Sequence, residues 1–191
     1  MSRTVSSAFF YVRQLRVVSR NLTPKAIKSL VNAFVISRLD YCNMVYSGLS
    51  QVLLNRLQHA FNTAARLIYG ERRDCHITPL LKDLHWLRVK ERIHLKICLT
   101  TFVNGMTPIC LTEMCIPKQP PQRPLRSAAI AENKLEEPNR ANKTRFYERA
   151  FAVAGPVMWN ELPWAMRQTQ AITEFRSGMK SALFTRSHTR P

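Results

Sequence analysis

The chain has 191 residues, 29 of them Lys or Arg against 12 Asp or Glu, for a formal net charge of +17. That excess is more than solubility asks for and suits a polyanionic partner, while a hydrophobic share of 46% permits a packed core and excludes a purely disordered basic tail. Length allows one domain, or a domain with a smaller appended unit, and no apolar run approaches the roughly 20 residues of a membrane-spanning helix.

Val5, Ala8, Phe9, Val12, Leu15 and Ser19 recur at helical spacing, with Arg13, Arg16 and Arg20 on the other side, so an amphipathic helix opens the chain. Thr23-Pro24 then supplies an N-cap and an N1 proline. The second helix buries Ile27, Leu30, Val31, Phe34 and Val35, reaches as far as Tyr46 and ends at Ser47-Gly48. Ser50 caps a third, with Leu53, Leu54, Leu57, Phe61, Ala64, Leu67 and Ile68 inward and Gly70 at its stop. Its outer face carries Asn55, Arg56, His59, Asn62, Thr63 and Arg66, without one carboxylate.

Thr78-Pro79 repeats the cap device before a short helix bearing Leu80, Leu81 and Leu84, and His85-Trp86 reads as a packed corner. Val89 to Asn104 is the next helix, closed by Gly105, and Thr107-Pro108 starts a last turn to Met114. Pro117, Pro120, Pro121 and Pro124 then block helix, so residues 116 to 145 are expected to be an exposed irregular linker, with room for a short strand pair after 125. Phe146 to Trp164 is aromatic-rich and must dock on something; Gly155-Pro156 within it reads as a turn. Thr173 caps a closing helix that buries Phe175, Met179, Ala182 and Leu183. The expected fold class is mainly α: a small helical bundle over 1–115, a Pro-rich irregular segment over 116–145, and the aromatic segment with a C-terminal helix over 146–191.

Catalysis finds no footing in these residues. Two-metal phosphoryl transfer needs clustered carboxylates, but Asp40, Asp74 and Asp83 are the three aspartates and none adjoins another. Asp40 is expected to be structural, paired with Arg38 or with a neighbouring helix. Cys75-His76 are adjacent and Cys110 and Cys115 lack a second compact pair, which fails tetrahedral zinc spacing; His76, His85 and His94 recur on alternating faces. No nucleophile motif is present. We therefore expect no catalytic residue, no metal and no cofactor. With no secretory segment visible, Cys42, Cys75, Cys98, Cys110 and Cys115 are expected to be reduced and to serve as small buried hydrophobes.

Binding is what remains. Residues 1 to 70 hold nine Lys/Arg and one acid. Lys25 and Lys28 line one side of the second helix with Asn32; Arg56 and Arg66 lie on the carboxylate-poor face of the third; Arg88, Arg92 and Lys96 stand four apart. Such rows are suited to phosphates of RNA or DNA and not to reading base edges; the competing reading is solvated outer faces of a bundle.

Val35-Ile36-Ser37-Arg38-Leu39-Asp40-Tyr41-Cys42-Asn43, Ile77-Thr78-Pro79-Leu80-Leu81-Lys82-Asp83-Leu84-His85-Trp86-Leu87 and Arg149-Ala150-Phe151-Ala152-Val153-Ala154-Gly155-Pro156-Val157-Met158-Trp159-Asn160-Glu161-Leu162-Pro163 stand in this order. In sequence and spacing they resemble the carboxy-terminal region of a reverse transcriptase from a jockey-like, non-LTR (LINE-type) retrotransposon. The resemblance implies a thumb-like helical bundle and tail, downstream of the polymerase palm and without its active site. It also implies the remainder of such a reverse transcriptase as a partner, no membrane, and an intracellular setting, nuclear if the chain follows the parent element. The alternative is a host interaction module derived from such an element, binding protein through the 146–164 aromatic segment.

Overall fold

Helices form where apolar residues recur at helical spacing, and one departure from the helical period decides which side chains of the second helix face out. A computed structural model describes residues 1–102, 109–119, 133–138, 147 and 149–189. The fold is mainly α, and among the described residues it holds no strand. Gly105, Thr107-Pro108, Pro120, Pro121, Pro124 and Phe146 lie outside the described residues. The chain divides into two compact units. The first comprises Met1–Asn43, Leu49–Arg92 and Phe184–Pro191, and the second Met44–Gly48 and Ile93–Leu183.

In the first unit, α1 (Ser2–Val18) buries Ala8 and Val12, with Val5, Phe9 and Leu15 half-buried. Helix α2 (Pro24–Val31) starts as expected: the Thr23 hydroxyl accepts the Ala26 N–H at 3.3 Å and Pro24 stands in the first turn. It continues through a π-helical segment, Asn32–Ile36, into α3 (Ser37–Asp40). A π turn adds one residue, which rotates everything after it by about 100° relative to a regular α-helix. Val35 stays inside as expected, Ile36 and Leu39 turn in, and Phe34, expected inside, turns out and is 43% exposed. The helix also stops earlier than expected. Cys42 breaks it with φ +48°, and Asn43–Tyr46 is a separate 3-10 turn before Gly48.

Helix α4 (Gln51–Tyr69) buries Leu57, Ala60, Phe61, Ala64, Ala65, Leu67 and Ile68; Leu53 and Leu54, expected inside, are half-buried. Ser50 holds the N-cap position without a side-chain hydrogen bond. Gly70 ends the helix at φ +68°, its N–H donating to Leu67 O and that of Glu71 to Arg66 O, the paired bonds of a Schellman cap. Helix α5 (Ile77–Asp83) begins before Thr78-Pro79, with His76 at the N-cap, so the proline stands within the first turn, where its missing N–H costs nothing. His85 closes it in the left-handed region at φ +54°, and Trp86 N–H donates to Leu81 O at 2.9 Å. Trp86 packs against Phe61 with ring centroids 4.9 Å apart, so the expected corner forms.

The second unit holds most of α6 (Val89–Phe102), α7 (Ile109–Thr112), α8 (Phe151–Asn160), α9 (Trp164–Arg167) and the first part of α10 (Ile172–Thr189). Its core stacks Phe102 on Phe175 at 4.4 Å, with Trp159 5.6 Å from Phe175. Gly155-Pro156 is no turn; both residues are buried inside α8. A Cβ on Gly155 would meet the Thr101 hydroxyl at 3.3 Å and the Phe151 ring at 3.4 Å, so glycine is what permits that close approach. Helix α10 starts one residue before Thr173 and buries Phe175, Met179 and Leu183; Ala182, expected inside, is exposed.

Within 116–145, the described pieces pair: Lys118 N–H donates to Lys134 O and Glu136 N–H to Ile116 O, an isolated antiparallel bridge centred on Pro117 and Leu135. Asn160 then holds Leu135 by both backbone groups, accepting its N–H and donating to its carbonyl, each at 2.9 Å. Trp159 Nε1 donates to Asn133 O at 2.7 Å.

Candidate nucleic-acid interface

The first unit carries seventeen Lys/Arg against five Asp/Glu, a net +12, and the second twelve against seven, a net +5. Positive charge is thus concentrated in the first unit, whose arginines fall into two groups: those held by the fold and those left to solvent.

Arg92 belongs to the first group. Its guanidinium grips both carboxylate oxygens of Asp40, through Nε to Oδ1 at 2.8 Å and Nη2 to Oδ2, and lies over the Phe61 ring at 4.8 Å. Asp40 also accepts from Asn43 Nδ2 at 3.3 Å. The structural role expected of Asp40 is therefore present, with Arg92 and not Arg38 as its partner; Arg38 instead donates to the Tyr11 hydroxyl at 3.0 Å. Asp83 accepts from the Tyr69 hydroxyl, whose pKa is pushed up to about 12 by burial, then by that hydrogen bond and the Asp83 charge.

Arg66 and Arg88 are likewise engaged. Arg66 donates through Nε and Nη2 to Cys75 O, at 3.3 and 3.0 Å, closing the loop after α4. Arg88 is half-buried and reaches the Thr78 hydroxyl at 3.4 Å. Lys96 is half-buried on α6. The four-residue spacing of Arg88, Arg92 and Lys96 is real, but a guanidinium committed to a carboxylate, with side-chain exposures of 21% and 23%, is not an open phosphate ligand. Of the seven candidate residues, Lys25, Lys28 and Arg56 are exposed. Arg92→Ala should cost about 2 kcal/mol, between the ~1 of an exposed pair and the ~3–5 of a buried one. It should leave the salt dependence of nucleic-acid binding unchanged, as thermal melts and salt titrations of the variant will read.

An open basic surface does exist, between α1 and α4. Two adjoining hollows share Ser6 and Phe9. One is lined further by Met1, Ser2, Val5, Asn55, Arg56 and His59, the other by Val12, Arg13, Arg16 and Thr63. None of these side chains is acidic. Phe9 and His59 meet there, ring centroids 5.6 Å apart, and Arg13, Arg16 and Arg56 are exposed. The α4 half was legible as a carboxylate-poor face. Sequence spacing places Arg13 and Arg16 only on the polar side of α1, because spacing within one helix does not reveal which neighbour it packs on.

No three His, Cys, Asp or Glu side chains converge on a possible metal position among the described residues, and no described helix is long and apolar enough to cross a membrane. The cysteines divide. Cys98 and Cys115 are buried as expected, whereas Cys42, in the backbone break after α3, and Cys110, on the short α7, are exposed and Cys75 is half-exposed. Burial, with the Glu161 charge adding to it, pushes the Cys98 thiol up to about 12. Alkylation at pH 8 should therefore modify Cys42 and Cys110 first and leave Cys98 untouched until denaturant is added, since the thiolate is the nucleophile. Mass mapping of the modified cysteines checks this. Among its described residues the aromatic segment buries Trp159, at 7% exposure, and leaves the Trp164 ring exposed. Comparison with protein-family models, curated proteins and solved structures gives no match.

Proposed function

We propose that this chain is the carboxy-terminal, non-catalytic region of a jockey-like reverse transcriptase, and that its biochemical role is to hold RNA or DNA by the phosphate backbone without regard to sequence. The observation that carries the binding role is the carboxylate-free groove between α1 and α4, rimmed by Arg13, Arg16 and Arg56, in a unit of net charge +12. Exposed guanidiniums beside Ser, Asn and His side chains suit phosphate oxygens. The assignment to a reverse transcriptase rests on the ordered sequence blocks. Its non-catalytic character is supported by Asp40 and Asp83, which serve Arg92 and Tyr69.

The test is a salt titration. Each phosphate neutralised on duplex releases a counterion, so the logarithm of affinity should fall linearly with the logarithm of salt, with a slope of about −0.9 per contact and equally for unrelated sequences. Affinity that ignores salt, or that follows one base sequence, defeats the backbone reading.

A further inference from the structure

The flank of α1 opposite the groove meets the π segment and α3, and there the surface is aromatic. Tyr11 meets one group from the π segment and one from α3. Phe34 is stacked nearly parallel to it, centroids 5.7 Å apart and planes at 19°, and the Arg38 guanidinium lies 4.5 Å from its centroid. Phe10 meets Tyr11 edge-on at 5.4 Å, and Tyr41 follows at the end of α3. Phe10 is 49% exposed, Phe34 43% and Tyr41 78%.

This patch is built by the π turn. On an uninterrupted α-helix, Phe34 and Arg38 would share the inward face of Ile27 and Val31; the extra residue moves both out beside Tyr11 and sends Ile36 and Leu39 inward. An insertion that places a phenylalanine and an arginine in solvent spends apolar burial, and such π turns recur at functional sites.

We infer that Phe10, Phe34 and Tyr41, with Arg38, form a stacking platform for the bases of a single-stranded nucleic acid. The inference rests on the polyanion-binding reading and adds the strand state. Flat rings interleaved with a guanidinium offer π faces to bases of any identity, whereas bases inside a duplex are already stacked and cannot reach them. Charge selects this occupant. In residues 1–43, Asp40 is the one acid and it is held by Arg92, so the platform repels a second copy of this chain and attracts a polyanion.

The test uses the full chain, a labelled oligouridylate and an abasic strand of equal length, which keeps the phosphates and lacks the rings. The oligouridylate should bind about five-fold more tightly or better. Phe10→Leu together with Phe34→Leu, which keeps apolar bulk but removes the flat faces, should erase that difference while leaving abasic affinity and the circular dichroism spectrum unchanged. Photocrosslinking of a 5-iodouridine strand to the parent protein should map to Phe10, Phe34 or Tyr41, a readout independent of any variant. Equal affinity for the two strands overturns the inference and leaves backbone binding standing; failure of both strands to bind removes the backbone reading too. A difference that survives in the double variant, with crosslinks elsewhere, also overturns it. So does an acidic amphipathic peptide whose binding is lost in that variant while oligouridylate binding is unchanged, which would make the patch a protein-docking surface.

Discussion

Replacing Arg13, Arg16 and Arg56 together with alanine is expected to flatten the salt dependence of duplex binding by about three units of log affinity per log salt, one for each phosphate released. Because every decade of that slope multiplies, the loss at low salt should span orders of magnitude and be the same for unrelated sequences. All three side chains are exposed and none has a carboxylate among the groove residues, so the triple variant should melt with the parent. Fluorescence anisotropy across a salt series reads the slope, and a thermal melt reads the fold. A slope unchanged within one unit would make the groove a solvated face. The contrast with Arg92 sharpens the comparison: that guanidinium is spent on Asp40, so its removal should lower the melting temperature without moving the slope.

Element existence was legible because caps and apolar spacing act locally. Thr23-Pro24, Gly70 and the His85-Trp86 corner each depend on a few adjacent backbone groups, and each forms where the residues suggest. Phase was less legible. A 3.6-residue period carries no sign of the extra residue at Asn32–Ile36, and the phase slips within that segment, so Phe34 faces out where the period puts it inside while Val35 stays buried. The candidate residues divide into held and open side chains for a related reason. A run of basic residues four apart says that they share a face, not whether a carboxylate distant in sequence, here Asp40, already occupies them. The carboxylate-poor face of α4 survived that limitation for Arg56 and not for Arg66, which closes its own loop through Cys75.

The block from Phe151 to Leu162 gives the last case, where a recognisable sequence pattern has a packing cause. Trp159 is held on two sides, by the Phe102 and Phe175 rings and by its indole N–H donating to Asn133 O, while the adjacent Asn160 amide pairs with both backbone groups of Leu135. A side-chain amide thus supplies the partners that a neighbouring strand would give. Trp159→Ala removes the ring from a stacked cluster and orphans the Asn133 carbonyl, and should cost about 3–5 kcal/mol. Trp159→Phe retains most of the ring and should cost less, on the order of the ~1–3 kcal/mol of an unpaired buried acceptor. Were this block a contact surface for protein or nucleic acid, Trp159→Ala would abolish binding with little change in stability. The burial of Trp159 requires the reverse ranking: a large fall in denaturant midpoint, and a salt slope equal to that of the parent under conditions where the variant remains folded.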